Sequence, residues 1–269
     1  SIVNKENLKL LKKIKNNFKQ LKIKTIKSNT KVFDWKVPNE WSVNKAFVED
    51  KYGKKIIDIN KNFLHLVSHS AKKNTILKKK DLLNILHFNN LDKEAIPYVT
   101  SFYKKGYYGF CVSKNQKNEI QKKYNNHDKF KINIDTSFNK NGKMYYGELV
   151  LKGESKKEIL ISTYICHPIM ANNETSGIIV SLSLIDYFKK RRLKKTLRFI
   201  FISETIGSLA YLNKNLKNLK KNCIGAFNLT CIGDERMHSC MLSKYQNSLS
   251  DLSLIDAYKK LKIQPKKFN

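Results

Sequence analysis

Acidic residues are scarce in this chain: 22 Asp and Glu stand against 53 Lys and Arg among 269 residues, a formal charge of +31. Arginine is scarcer still. Arg191, Arg192, Arg198 and Arg236 are the whole set, so 49 of the basic residues are Lys. Recognition of phosphates and base edges draws on the guanidinium fork, so the Lys excess reads as a solvated coat rather than a nucleic-acid surface. No run reaches the roughly 18 apolar residues that a membrane span requires. The opening SIVNKENLKL also lacks the apolar core of a signal peptide, and the expected setting is cytoplasmic. Five cysteines, Cys111, Cys166, Cys223, Cys231 and Cys240, are odd in number and show no CxxC spacing. That argues against a disulfide framework and a Cys-rich zinc knuckle, and reduced thiols are expected. The chain opens at Ser1 and stops in a Lys-rich QPKKFN, which reads as a fragment of a longer protein.

What is present is enough to fold. Apolar side chains make up 41% of the sequence, sufficient for one large core or two unequal ones. Leu11, Ile14, Phe18 and Leu21 recur at helical spacing and predict a basic amphipathic helix over residues 5–24. Pro38, between Trp35 and Trp41, excludes a helix there. Runs at 42–49 and 54–59 flank a turn with Gly53 and predict a hairpin. From 60 to 148 the texture is of short helices, including 81–88, and short strands. Phe130, Ile132 and Ile134 alternate as a half-buried strand should, and Asn141-Gly142 suits the tight turn of a hairpin leading into a strand at 144–151. This stretch reads as a small β-rich domain inserted between residues 1–59 and 149–269.

Beyond Leu151 the pattern is regular. ILISTYIC (159–166), LRFIFIS (197–203) and CIGAFNLTC (223–231) are apolar runs without alternation, as expected of strands buried on both faces. Helical patterns at Ile178, Leu182 and Ile185, and at Leu209, Leu212, Leu216 and Leu219, lie between them. The alternation predicts an α/β fold: a mostly parallel sheet with helices on both faces, three layers in all. In such sheets ligands bind beyond the carboxyl ends of the strands. The residues there are His167 with Asn172, Asn173 and Glu174, then Glu204 with Thr205, then Asp234 with Glu235. Imidazole and carboxylates together are what zinc takes in a hydrolytic site, and a further carboxylate can act as general base.

Each residue has a structural alternative. His167 is balanced between ligand and hydrogen-bonded structure. Glu204, placed between an apolar strand and a glycine, favours a catalytic base over a carboxylate at a helix start. Asn172 and Asn173 suit a turn and helix cap, and Asp234 a surface turn. Cys166 beside His167 invites a thiol-protease reading, but neighbours on a strand point to opposite faces, which opposes it.

At these residues the chain resembles the zinc aminopeptidase superfamily. More closely, VFDWKVPNEW, AIPYVTS, STYICHPIMANNETSG, ISETIGSLAYL and FNLTCIGD resemble a group of bacterial aminopeptidase-like proteins associated with surface polysaccharide biosynthesis. The resemblance implies a peptidase-like domain carrying a small insertion, with a further His ligand and a winged helix beyond the last residue here. It gives His167 the position of a first metal ligand and Glu204 that of the general base. It sets Asn173 where a bridging carboxylate is expected, Thr205 where a second Glu is expected, and Thr230 near an expected Asp. Without an anionic bridge two dications repel, so the expectation is either one zinc, more readily than two, held by His167 with displaced carboxylates such as Glu174 or Asp234, or no metal in this chain. Asn172, Asn173 and Thr205 then line a substrate site. The function expected is metal-dependent hydrolysis of a small peptide or amide. The alternatives are a non-catalytic binding protein on the same fold in surface polysaccharide biosynthesis, and a Lys-rich nucleic-acid binder.

Overall fold

A computed structural model describes residues 2–167 and 170–268. Its contacts divide the chain into a small unit, Pro38–Gly142, and a large unit made of Ile2–Val37 with the chain from Lys143 onward. The expected boundaries at 60 and 148 give way for a definite reason. The strand Glu40–Glu49 pairs along its length with Lys129–Asn139, which draws it into the small unit. Lys143–Leu151 pairs instead with Lys22–Lys27 and belongs to the large one.

The chain begins with α1 (Lys5–Asn17), whose Asn4 side chain accepts the Asn7 amide as an N-cap. The helix stops well before residue 24, because Phe18 leaves helical geometry while its amide still bonds the Ile14 carbonyl. A turn then leads into β1 (Lys22–Lys27). The small unit follows, with β2 (Glu40–Glu49), β3 (Lys55–Asp58), β4 (Lys73–Lys78), α2 (Lys114–Lys123) and β5 (Lys129–Asn139). Its sheet is antiparallel in the order β3-β2-β5-β4, with β2 and β3 forming the expected hairpin. Phe130, Ile132 and Ile134 face its core with Trp41, Leu82 and Phe110. The helix expected over 81–88 spans Lys79–Asn84 instead, and Leu86–His87 pairs with Phe110–Cys111.

The large unit resumes with β6 (Lys143–Leu151), β7 (Ser155–Tyr164), α3 (Ser176–Phe188), β8 (Lys195–Ile202), α4 (Ile206–Asn222), β9 (Cys223–Leu229) and α5 (Leu249–Lys260). Its sheet has the order β1-β6-β8-β7-β9. β7 is parallel to both β8 and β9, whereas β6 is antiparallel to both β1 and β8. The fold is α/β as expected, with a mixed rather than mostly parallel sheet.

Side-chain alternation sets the layers. Leu149, Leu151, Ile161, Leu197, Phe199 and Phe201 pack with Leu11 and Ile14 of α1 and with Ile178 and Ile185 of α3. The alternate residues face α4, where the Tyr146 and Tyr211 rings meet edge to face, 5.8 Å between centroids. Charge is buried on that second face. Arg198 donates to Glu148 at 2.8 Å and to Glu158 at 2.8 Å, and Lys24 and the Tyr211 hydroxyl also reach Glu148.

Candidate active site

Because β8, β7 and β9 run side by side and parallel, the segments that follow them leave the sheet at one edge. The Ile165 amide extends the ladder by bonding the Ile202 carbonyl, and His167 then steps off beside the end of β8. The turn beyond it is described from Met170, with Pro168 and Ile169 outside the described residues. A single π-helical turn, Ala171–Thr175, carries the chain into α3. Gly177 lets that helix start against the strands, since a Cβ there would stand 2.2 Å from the Leu229 carbonyl oxygen and 2.3 Å from Thr163 Oγ1.

Glu174 is buried in this turn, and its Oε1 accepts the amides of Cys166 at 2.8 Å and His167 at 2.7 Å. The same oxygen lies 3.1 Å from His167 Nδ1, and Asn173 Oδ1 lies 2.9 Å from it. Both neighbours are acceptors, so Nδ1 carries a proton and donates. The opposite nitrogen, Nε2, faces Glu204 Oε2 at 3.0 Å. Burial opposes charge on this imidazole, but the hydrogen bond and charge of Glu174, with Asn173 and Glu204, outweigh it and raise the His167 pKa above the ordinary value. The ring therefore lies between two carboxylates, Glu174 on the Nδ1 side and Glu204 on the Nε2 side.

Glu204 is held by its backbone. Its amide donates to Cys166 Sγ at 3.2 Å, and Thr205 after it has a φ of 52° and a ψ of −83°, a strained conformation for a β-branched residue. The Glu204 side chain is 40% exposed, so its carboxylate has access to water. Burial pushes the Cys166 thiol up to about 12, which removes it as a nucleophile and leaves it as an acceptor.

The third strand end sews the turn shut. Thr230 Oγ1 donates to the Asn173 carbonyl at 2.9 Å, and the Gly233 amide donates to Asn172 Oδ1 at 2.8 Å. Asn173 Nδ2 reaches Cys231 Sγ at 3.5 Å. Of the residues singled out in the sequence, His167, Asn173, Glu174 and Glu204 thus converge, while Asn172 builds the turn. Asp234 is paired within its own loop: Arg236 grips both of its oxygens, at 2.9 and 2.6 Å, and holds its carboxyl down at about 2. The roles of Cys166 and of the Thr205 backbone carry no sequence signal, since an apolar thiol and an ordinary hydroxyl residue look alike in core and loop.

The donors fit zinc in one respect and not in another. An imidazole that donates from one nitrogen to a carboxylate or amide, and turns the other outward, is the arrangement typical of metal-bound histidine. Among the described residues, the possible ligands within 4.8 Å of one another are Cys166, His167 and Glu174. The Cys166 thiol and Glu174 Oε1 accept from backbone amides, whereas the partner of His167 Nε2 is a side-chain carboxylate, Glu204 Oε2 at 3.0 Å, whose place a zinc ion could take. A second ion lacks its bridge, because Asn173 is a neutral amide turned toward the ring.

The sequence matches the family described as "Domain of unknown function (DUF4910)" over residues 1–268. A Clostridium acetobutylicum protein named as a polysaccharide biosynthesis protein with an aminopeptidase-like domain is 36% identical over 234 residues, 86% of this chain and 51% of the relative. The chain thus spans about half the length of that curated relative. A crystal structure from Clostridium acetobutylicum named as a peptidase superposes with a TM-score of 0.89 at 32% identity, covering 100% of this chain and 62% of that one. The zinc aminopeptidase BSAP from Bacillus subtilis shares the fold with a TM-score of 0.65 at 14% identity, covering 98% and 73% of the two chains. A peptidase M28 precursor from Shewanella amazonensis does so with a TM-score of 0.63 at 9% identity, covering 97% and 74%.

Proposed function

From the premise that the chain belongs to the DUF4910 family and has an aminopeptidase-like fold, we propose that it is the core of an amide- or peptide-bond hydrolase whose reacting groups are Glu204 and His167. The observation that carries this reading is the 3.0 Å approach of Glu204 Oε2 to His167 Nε2 at the shared carboxyl edge of β7 and β8. Glu204 is the general base. Exposed to solvent on one side, it takes a proton from water and returns it to the departing amine. His167 is the metal-binding residue, its ring fixed by Asn173 and Glu174 so that Nε2 faces Glu204. A zinc ion bound there supplies carbonyl polarisation and a lowered pKa for water. One ion is favoured over two, because neither Asn173 nor Thr205 brings negative charge.

In the full-length protein, Glu204→Gln should lower hydrolysis of small peptides and amides by at least about 100-fold while leaving zinc content unchanged. Activity that survives the substitution would refute the assignment.

A second reading is favoured by one observation. Glu174 and Asp234, the carboxylates expected to complete the metal shell, are engaged by backbone amides and by Arg236. A protein that keeps the fold and binds without reacting, in surface polysaccharide biosynthesis, would look the same. Metal analysis separates the two: protein that holds no stoichiometric zinc, and takes up none on titration, favours the binding role.

A further inference from the structure

At the far end of β8 from Glu204, the large unit has a second concave site of quite different chemistry. A groove of about 710 Å³ runs over β1, β6 and β8 to the turn that joins α3 to β8. Six of its twelve lining residues are basic: Lys22, Lys24, Lys152, Lys189, Arg191 and Arg198. Lys and Arg are 53 of 269 residues in the chain, so the groove is enriched well beyond the general coat. Two of the four arginines are in it.

These cations are not equivalent. Arg198 and Lys24 neutralise the buried Glu148, and Lys189 pairs with Asp186. Lys22, Lys152 and Arg191 form no ion pair among the described residues. Arg191 lies with its guanidinium carbon 4.0 Å from the Tyr187 ring centroid, a cation–π contact that steadies the group. Glu148 lines the groove, but its carboxylate is spent on Arg198, Lys24 and Tyr211, so it does not repel an anion. The rest of the wall is apolar, with Val150, Phe188 and Leu193.

We propose that this groove binds an organic diphosphate of the nucleoside diphosphate class, its phosphates on Lys22, Lys152 and Arg191 and its ring against the wall at Phe188 and Leu193. Two phosphates match three uncommitted cations in charge. A guanidinium fork with two ammonium groups is a common phosphate-binding set. The volume lies within the roughly 300–1,000 Å³ of small-molecule sites. This site is independent of the reading of His167 and Glu204.

The test is titration calorimetry of the chain with UDP and with pyrophosphate at about physiological ionic strength, where exposed long-range charge is screened. UDP should bind, and more tightly than pyrophosphate. The combined variant Lys22→Gln, Lys152→Gln, Arg191→Gln should weaken UDP about tenfold or more. A control variant with Lys12, Lys13 and Lys217, exposed on the helices of the same unit, each changed to Gln should stay within about twofold. Arg191→Gln alone should weaken UDP measurably, and it provides the test if the triple variant does not fold. No UDP binding by the parent chain, equal losses in both triple variants, or pyrophosphate binding as tightly as UDP would each overturn the proposal.

Discussion

At the scale of single residues, the site turns on how one imidazole is held. His167 donates from Nδ1 to Asn173 and Glu174, and this decides which nitrogen meets Glu204. Asn173→Asp would place a full negative charge on the same nitrogen and raise the basicity of Nε2. Zinc affinity, read by competition with a chelator, should rise about tenfold, and an unchanged affinity would show that this contact does not tune the ring. His167 and Glu204 were legible in the sequence because each follows an apolar strand at the edge where α/β sheets bind ligands. Glu174 was legible only as a carboxylate near the site. Its placement behind the ring depends on two backbone amides that no side-chain pattern reports. Asp234 read as a candidate ligand for want of the same information, since its partner Arg236 lies two residues on and could equally have pointed away.

At the scale of elements, the approach of α3 to the strand ends decides whether the turn that carries Glu174 can reach them. Gly177 stands at the first turn of α3, with the Leu229 carbonyl and Thr163 Oγ1 where a side chain would go. Thr163 Oγ1 already donates to that carbonyl at 2.9 Å, so neither atom can retreat cheaply. Gly177→Ala should therefore destabilise the large unit by about 3 kcal/mol in urea unfolding, and a cost near zero would mean that the helix start can shift. The strands and α3 were readable from apolar runs and helical spacing. The end of α1 and the short helix Lys79–Asn84 were not, because Leu21 and Leu86 continue the apolar spacing after the backbone has left the helix. The antiparallel half of the sheet was hidden for a related reason. A strand such as β6, buried on both faces, carries no mark of its direction.

At the scale of the whole molecule, the boundaries of the two units depend on long-range pairing. β2 finds its partner in β5, 95 positions away in the register Ser42↔Ser137, and nothing local announces that. Charge also acts at this scale. The chain carries +31, and its buried carboxylates hold cations in place. Burial works against the charge on Glu148, but Lys24, Arg198 and the Tyr211 hydroxyl prevail and lower its pKa below the ordinary 4.5. A depressed folded-state pKa means that Glu148 contributes stability above pH 4.5, and that the contribution is lost as pH falls through the folded value. Glu148→Gln should cost about 3 kcal/mol at neutral pH, because it leaves Lys24 and Arg198 short of a partner. The gap from the parent chain should narrow as the medium is acidified below pH 4.5, whereas a gap independent of pH would remove Glu148 from this role.

The account as a whole rests on His167 and Glu204 forming one metal-assisted centre. Its most direct test is an anomalous-scattering map, at the zinc edge, of crystals of the full-length protein grown with zinc. The account predicts a single peak within about 2.1 Å of His167 Nε2 and beside the Glu204 carboxylate. Two peaks at the roughly 3.5–4 Å spacing of a binuclear centre, or no peak at this imidazole, would contradict it.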